Sequence, residues 1–272
     1  MFMKKKLFIL VLFLKVVSLL YGQEMPPEEI IKSFGFQTCR LEMKGDTIEF
    51  YVHNPGNEPK KNLAVFLSGS TPDPIFTYEI KEGVFKKYIW AHKDYQIFPS
   101  DYAFVLIAKP GREGVFNEAD LNNVPTEYLE KNSLDYRVWQ ADEVVNYCLR
   151  KILKKPVNVV VYGHSEGYNV IAKLLTVNNK ITHAGLLAGS AMPDYFDFMM
   201  FSSKRFSSGK IDEVTFKAEL EKYQSAYKKI FGSPNDTRSE GIYTNKRWTS
   251  YAPSADCLFD KGENSTLYAC FN

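Results

Sequence analysis

Val157-Asn158-Val159-Val160-Val161-Tyr162 is a short run rich in β-branched side chains, and it ends in Gly163-His164-Ser165-Glu166-Gly167. Tyr168 to Leu175 then reads as a helix. A buried strand, Gly-x-Ser-x-Gly and a helix together specify a sharp turn with the serine hydroxyl exposed at its tip, the glycines letting two backbones pack closely. At average Gly and Ser usage the pentapeptide alone turns up by chance in about one chain of this length in ten. Its weight therefore rests on the strand before it and the helix after it. The plainer alternative is a tight structural turn that happens to hold Ser.

The rest of the chain supplies a matching frame. Arg40 to Met43 and Thr47 to Val52 flank Lys44-Gly45-Asp46 as a β-hairpin. Leu63 to Leu67 and Tyr102 to Ala108 read as further strands, stopped by Ser68-Gly69-Ser70-Thr71-Pro72 and by Lys109-Pro110-Gly111. Between Tyr136 and Leu153 the positions Val138, Val145, Leu149, Ile152 and Leu153 approximate a helical stripe, and Ala184 to Ala188 reads as a sixth strand. Alternating strands and helices predict an α/β fold whose sheet is mostly parallel with crossover helices. Ile211 to Ile230 breaks the rhythm: Phe216, Leu220, Tyr223, Tyr227 and Ile230 mark one long amphipathic helix with no strand close behind it. Such an insertion after the sixth strand predicts a helical cap.

A chain of 272 residues with 45% apolar content can fill one large α/β domain. Lys4-Lys5-Lys6, the apolar stretches around Lys15 and then Tyr21-Gly22-Gln23 describe a secretory signal peptide. A bilayer span needs ~20 uninterrupted apolar residues, and Lys15 breaks this one. An uncleaved membrane anchor is the alternative. Losing the four leader lysines and no acid would take the net charge from +2 to −2, which excludes a strongly basic nucleic-acid binder. The predicted organisation is thus a signal peptide over 1–22, a core over 23–195, a cap over 196–248 and an aberrant tail over 249–272. Cys39, Cys148, Cys257 and Cys270 match no zinc spacing, so no metal is expected. Cys257 and Cys270 are close enough in sequence to pair in an oxidising compartment, whereas Cys148 lies in a helical apolar pattern and reads as a buried thiol. Asn235-Asp236-Thr237 and Asn264-Ser265-Thr266 are glycosylation sequons only in a host that glycosylates.

Acyl transfer at Ser165 needs donors for the developing oxyanion. One is the backbone N–H of the residue after the nucleophile, here Glu166; the second comes from the loop after the third strand. Ser70 in Leu67-Ser68-Gly69-Ser70-Thr71 is the expected donor, with Thr71 its neighbour in contention. An ordinary βα loop of small residues would look the same.

These features, with Asn132-Ser133-Leu134-Asp135-Tyr136-Arg137 before the helix, resemble the α/β-hydrolase superfamily from about Leu63 to Trp248. Its exported esterase and peptidase-like members with Gly-His-Ser-Glu-Gly at the elbow are the most similar. The resemblance implies an α/β-hydrolase fold and hydrolysis of a small ester, thioester or peptide-like substrate through an acyl-enzyme, without a cofactor. Carried over residue by residue, Ser165 matches the nucleophile, and Glu166 and Ser70 match the oxyanion donors. The family's acid follows the seventh strand and its His the eighth. Each strand–helix unit takes ~30 residues, and Thr249 to Asn272 is too short for both, so those strands are expected to be missing.

No His follows His183. His164 sits beside the nucleophile and points elsewhere, His183 starts the sixth strand, His53 follows the hairpin and His92 precedes the fourth strand. None is in the order expected of a catalytic His. Asp194, just past the sixth strand, is the best surviving acid; a polar residue opening the cap is its plainer reading. Loss of the His alone can cost ~10⁶ in turnover. The sequence therefore predicts a serine hydrolase by descent that is weak or inactive, with a noncatalytic ligand- or partner-binding pseudo-hydrolase as the alternative. The composition of the tail reads as the scar of a frameshift or early stop, with evolved loss as the rival. A sixth strand left at the sheet edge would favour self-association.

Overall fold

The structure is a computed structural model that describes residues 25–54, 58–90, 93–96, 98–189, 194–236 and 243–252, with the backbone alone at 93, 94, 194 and 195. The expected leader and residues 253–272 of the expected tail, with Cys257, Cys270 and Asn264, lie outside the described residues, as does His92; residues 249–252 of that tail are described and close the last helix.

Six strands form the main sheet: β1 (Phe36–Met43), β2 (Asp46–His53), β3 (Lys60–Leu67), β6 (Tyr102–Ile107), β8 (Leu153–His164) and β9 (His183–Leu187). Their order is β1-β2-β6-β3-β8-β9. β1 and β2 form the expected antiparallel hairpin, and β2 also runs antiparallel to β6. From β6 onward every pairing is parallel. Strand order and direction are those of the α/β-hydrolase fold, as the sequence led us to expect.

Alternation along β3 shows how the sheet is buried. Leu63, Val65 and Leu67 face one layer with the helices α3 (Leu134–Lys151) and α4 (Glu166–Val177), through Val138, Ala141, Val145, Ile171 and Leu174. Ala64 and Phe66 face the other, where Phe36, Phe76, Tyr95, Phe104 and Tyr162 gather. A strand buried on both faces reads as a continuous apolar run, and Leu63 to Leu67 is fully buried.

The crossover from β3 to β6 departs from expectation. In place of a helix the chain makes a hairpin, β4 (Phe76–Lys81) and β5 (Val84–Ile89), which with β7 (Val115–Asn117) forms a separate three-stranded sheet. Helix α1 (Pro27–Ser33) packs against the same layer through Ile31. The short helix α2 (Thr126–Lys131) precedes α3, which is capped by the Ser133 hydroxyl accepting from the Tyr136 N–H. Cys148 is buried and free on α3, and burial pushes its thiol up.

After β9 come α5 (Asp194–Ser207), α6 (Glu213–Gly232) and α7 (Asn245–Tyr251). α5 and α6 meet through Ser202 and Arg205, both donating to Glu219, and through the stacked rings of Phe206 and Phe216. The β9 strand is the last of the sheet among the described residues, and it is exposed on both faces, with Leu186 and Leu187 open to solvent.

One close approach fixes the elbow. A Cβ on Gly163 would lie 2.8 Å from the Leu67 carbonyl oxygen, and a Cβ on Gly167 only 2.2 Å from it. Gly167→Ala is therefore expected to destabilise the chain by about 1–3 kcal/mol in urea unfolding. Gly232→Ala, where nothing lies within 4 Å of the added carbon, should be neutral or slightly stabilising by comparison.

Candidate active site

Ser165 has φ 56 and ψ −120. A non-glycine residue in so sparse a region costs of order 1–3 kcal/mol and persists only where its surroundings over-determine it. Here they do. The two glycines clasp the Leu67 carbonyl, the Ser165 N–H donates to the Leu187 carbonyl at 3.0 Å, and the Tyr168 N–H donates to the Ser165 carbonyl at 2.9 Å. Serine at the start of a helix normally caps it. At the head of α4 the Ser165 side chain makes no capping bond, so its hydroxyl stays available.

Ser165 lines a cleft of about 520 Å³ together with Ser70, Glu166, Asn169 and Ala188 on the sheet side. Asp197, Phe198 and Phe201 from α5, with Tyr243, Arg247 and Trp248 at α7, close the other side. Ser165 and the two residues expected to supply oxyanion donors, Ser70 and Glu166, thus line one cavity. The N-terminal end of α4 adds its own partial positive charge there.

Two features escaped sequence reasoning. Glu166 contributes more than a backbone N–H: its carboxylate turns inward and accepts from Arg247 through Nη2 at 2.8 Å and Nε at 3.2 Å. The side chains are 1% and 6% exposed. The guanidinium carbon lies 4.3 Å from the ring centre of Tyr243 and 4.7 Å from those of Trp248 and Tyr251. Burial alone would raise the Glu166 pKa, but the charges of Arg247, Lys109 and Arg137 together hold it below the ordinary value. A separation of 81 positions between the partners leaves no local pattern to read.

The second is Lys109, whose Lys109-Pro110-Gly111 turn was read as a strand stop and as part of the resemblance, with no role given to the lysine itself. Its buried Nζ donates to the Gly69 carbonyl and, at 2.5 Å, to the Thr71 carbonyl. The Tyr128 hydroxyl donates to the carbonyl of Ser70, and Arg112 Nε to that of Pro72 at 2.8 Å. Four consecutive carbonyls are held by side chains from outside the loop. Burial lowers the Lys109 pKa to about 7. Its position just past the end of the buried strand β6 was the signal that could have marked it as a buried charge.

No described histidine lines the Ser165 cleft. His164 lines a smaller cavity of about 150 Å³ with Gly69 and Lys109. His183 opens β9 at the end away from the elbow, beside the Thr182 hydroxyl at 2.8 Å. His53 packs against the rings of Phe36 and Tyr95 on β2, where burial lowers its pKa. Asp194 opens α5 by its backbone; its side chain lies outside the described atoms. Asp197, the next acid along that helix, does line the cleft. Among the described residues no cluster of His, Cys, Asp and Glu could hold a metal ion, and no helix is long and apolar enough to cross a membrane.

Fold and site define the class: an α/β-hydrolase fold with a strained serine at the strand-to-helix turn. No protein-family model matches the sequence, and no curated protein matches it. Among solved structures it is similar to a puromycin-hydrolyzing peptidase of Mycobacterium tuberculosis, at 14% identity and a TM-score of 0.42, covering 61% of this chain and 23% of that one. It is also similar to a cold-adapted esterase from an Arctic intertidal metagenomic library, at 14% identity and a TM-score of 0.37, covering 56% and 59% of the two chains. A third is the acylaminoacyl peptidase of Pyrococcus horikoshii, at 12% identity and a TM-score of 0.42, covering 60% and 24%. The chain thus spans about a quarter of each peptidase and just under three-fifths of the esterase.

Breaking the buried ion pair gives a clear expectation. Arg247→Met should lower stability by about 3–5 kcal/mol near neutral pH, because the Glu166 carboxylate stays buried without its main partner. A carboxyl held below its ordinary 4.5 contributes stability that is complete above that value and lost as pH falls through the lower folded-state value. The penalty of Arg247→Met should therefore shrink in acid, as read by urea midpoints across pH.

Proposed function

We propose that this chain is an exported serine hydrolase, weak or inactive in turnover, acting on small carboxylic esters or peptide-like amides. Ser165 Oγ would attack the carbonyl carbon, its proton passing to a base. The oxyanion would be held by the N–H groups of Glu166 and Ser70. Departure of the alcohol or amine would leave an acyl-enzyme that water cleaves. The observation that carries this reading is the strained Ser165, uncommitted to capping, on one cleft with Ser70 and Glu166.

The region 196–248 is read as the lid of that cleft, its Phe198, Phe201 and Trp248 suited to an apolar acyl or side-chain group. Residues 1–22 are read as the export signal, and Asp194 stays the candidate acid. No described histidine lines the cleft with Ser165, and on this reading turnover by the chain is weak. Without a base the hydroxyl is a poor nucleophile, while oxyanion donors and binding leave residual catalysis. The exposed edge of β9 supports self-association through strand pairing.

The test is intact mass after prolonged exposure to a fluorophosphonate, with circular dichroism to confirm folding. A slow, single adduct that disappears in Ser165→Ala is expected. A folded chain that takes no adduct would overturn the acyl-transfer reading and leave the cleft as a ligand-binding site.

A further inference from the structure

The loop that would supply the second oxyanion donor does not hold itself in place. In a trans peptide the carbonyl of one residue and the N–H of the next point in opposite directions, and no peptide among the described residues is cis. The Gly69 carbonyl is tied to Lys109 Nζ, so the Ser70 N–H is directed away from Lys109. The Ser70 carbonyl is tied to the Tyr128 hydroxyl, which directs the Thr71 N–H away from Tyr128. The other carbonyl that Lys109 holds, that of Thr71, precedes Pro72 and so shares its peptide with no N–H at all.

The loop also stands between two cavities. Ser68, Gly69 and Thr71 line the smaller one with Lys109, whereas Ser70 lines the larger one with Ser165. Neither Lys109 nor Tyr128 lines the cleft. Among the described residues neither the Ser70 nor the Thr71 N–H is used in a hydrogen bond. The loop's backbone carbonyls are held on the far side and the Ser70 and Thr71 N–H groups are left open, while the Ser70 hydroxyl accepts from the Tyr243 hydroxyl at 2.7 Å on the cleft side.

We propose that Lys109 and Tyr128 are positioning residues for the oxyanion site, aiming the Ser70 N–H at the cleft by holding the carbonyls of Gly69, Ser70 and Thr71 behind it. The inference rests on the acyl-transfer reading for its purpose, but its geometry stands on the loop alone.

The chemistry of Lys109 adds a pH dependence. The charged and titratable groups facing it come from several elements: Asp73 beyond the loop, Tyr128 on α2, Arg137 on α3, His164 at the end of β8, Glu166 on α4 and Arg247 on α7. Burial with Arg137 and Arg247 opposes its charge, and Glu166 and Asp73 favour it, giving a pKa of about 7. As an ammonium, Lys109 makes charge-assisted bonds to both carbonyls. As pH rises through about 7 those bonds weaken, and the loop should loosen with them.

Two readouts test this on the full chain. The first is the rate of Ser165 phosphonylation by a fluorophosphonate, below and above neutrality. Lys109→Met should slow it on the order of tenfold in mild acid, with the gap closing above neutral pH. Lys109→Arg should recover most of the loss without the pH dependence, and Tyr128→Phe should slow it less.

The second needs no reactivity: the Ser70 and Thr71 amide resonances in a ¹⁵N-labelled sample. In the parent chain they should shift together with a midpoint of about 7, and in folded Lys109→Met or Lys109→Arg that titration should vanish. Resonances that titrate identically in the variants, or do not titrate at all, would overturn the inference. If no chain labels, the acyl-transfer reading fails while the amide titration still decides this one. If Lys109→Met does not fold, Lys109→Arg carries the test.

Discussion

The Leu67 carbonyl, clasped where two glycines leave no room for a Cβ, is the contact on which the site depends. It joins the end of β3 to both sides of the turn between β8 and α4. Because Gly163 and Gly167 both press on that oxygen, the residue between them is forced into a conformation that serine rarely takes. The same contact brings the β3 loop against the elbow, so Ser70 and Ser165 open onto one cleft. The parallel register of β3 with β8, in which Leu67 stands opposite Gly163, lines up the two strand ends.

Behind that contact lies a charge problem with a specific solution. One buried carboxylate, Glu166, faces three buried cations in Lys109, Arg137 and Arg247. Taking charges out of water costs several kcal/mol per ion unless each is well paired. Arg247 is matched to Glu166 and enclosed by three aromatic rings, so it ties α7 to the first residue of α4. Lys109 instead draws on backbone carbonyls and has a pKa depressed to about 7. The same side chains that fill the buried layer thereby shape the loop that lines the cleft with Ser165. Structure and candidate chemistry share one set of bonds.

How much of this the sequence disclosed follows from the range of each signal. The elbow was legible because its strand, glycines and helix are contiguous, and Leu63 to Leu67 because burial on both faces leaves an unbroken apolar run. The β4–β5 hairpin was not legible: Val84-Phe85-Lys86-Lys87-Tyr88-Ile89 is half exposed and mixes charge with aromatics, so no clean alternation marks it. The long helix was recognised from Phe216, Leu220, Tyr223 and Tyr227 and stands at Glu213–Gly232, yet none of its residues is fully buried. Periodicity announced the helix without saying how deeply it packs. Arg247 was invisible for a simpler reason, since its partner lies far off in sequence and only the fold brings them together. Lys109 lay in a segment already singled out, and its place at the end of a buried strand could have marked it as a buried charge.

At the centre stands Ser165, a candidate nucleophile held in a strained conformation by its backbone, on a cleft lined by no described histidine. Rescue by free imidazole tests that most directly, using hydrolysis of a small activated ester with the rate of Ser165→Ala subtracted. The account predicts a Ser165-dependent rate that rises with imidazole concentration, because the open cleft admits an external base and no described histidine lines it. A Ser165-dependent rate already fast without imidazole and indifferent to its addition would contradict it, since an internal base would then be serving Ser165.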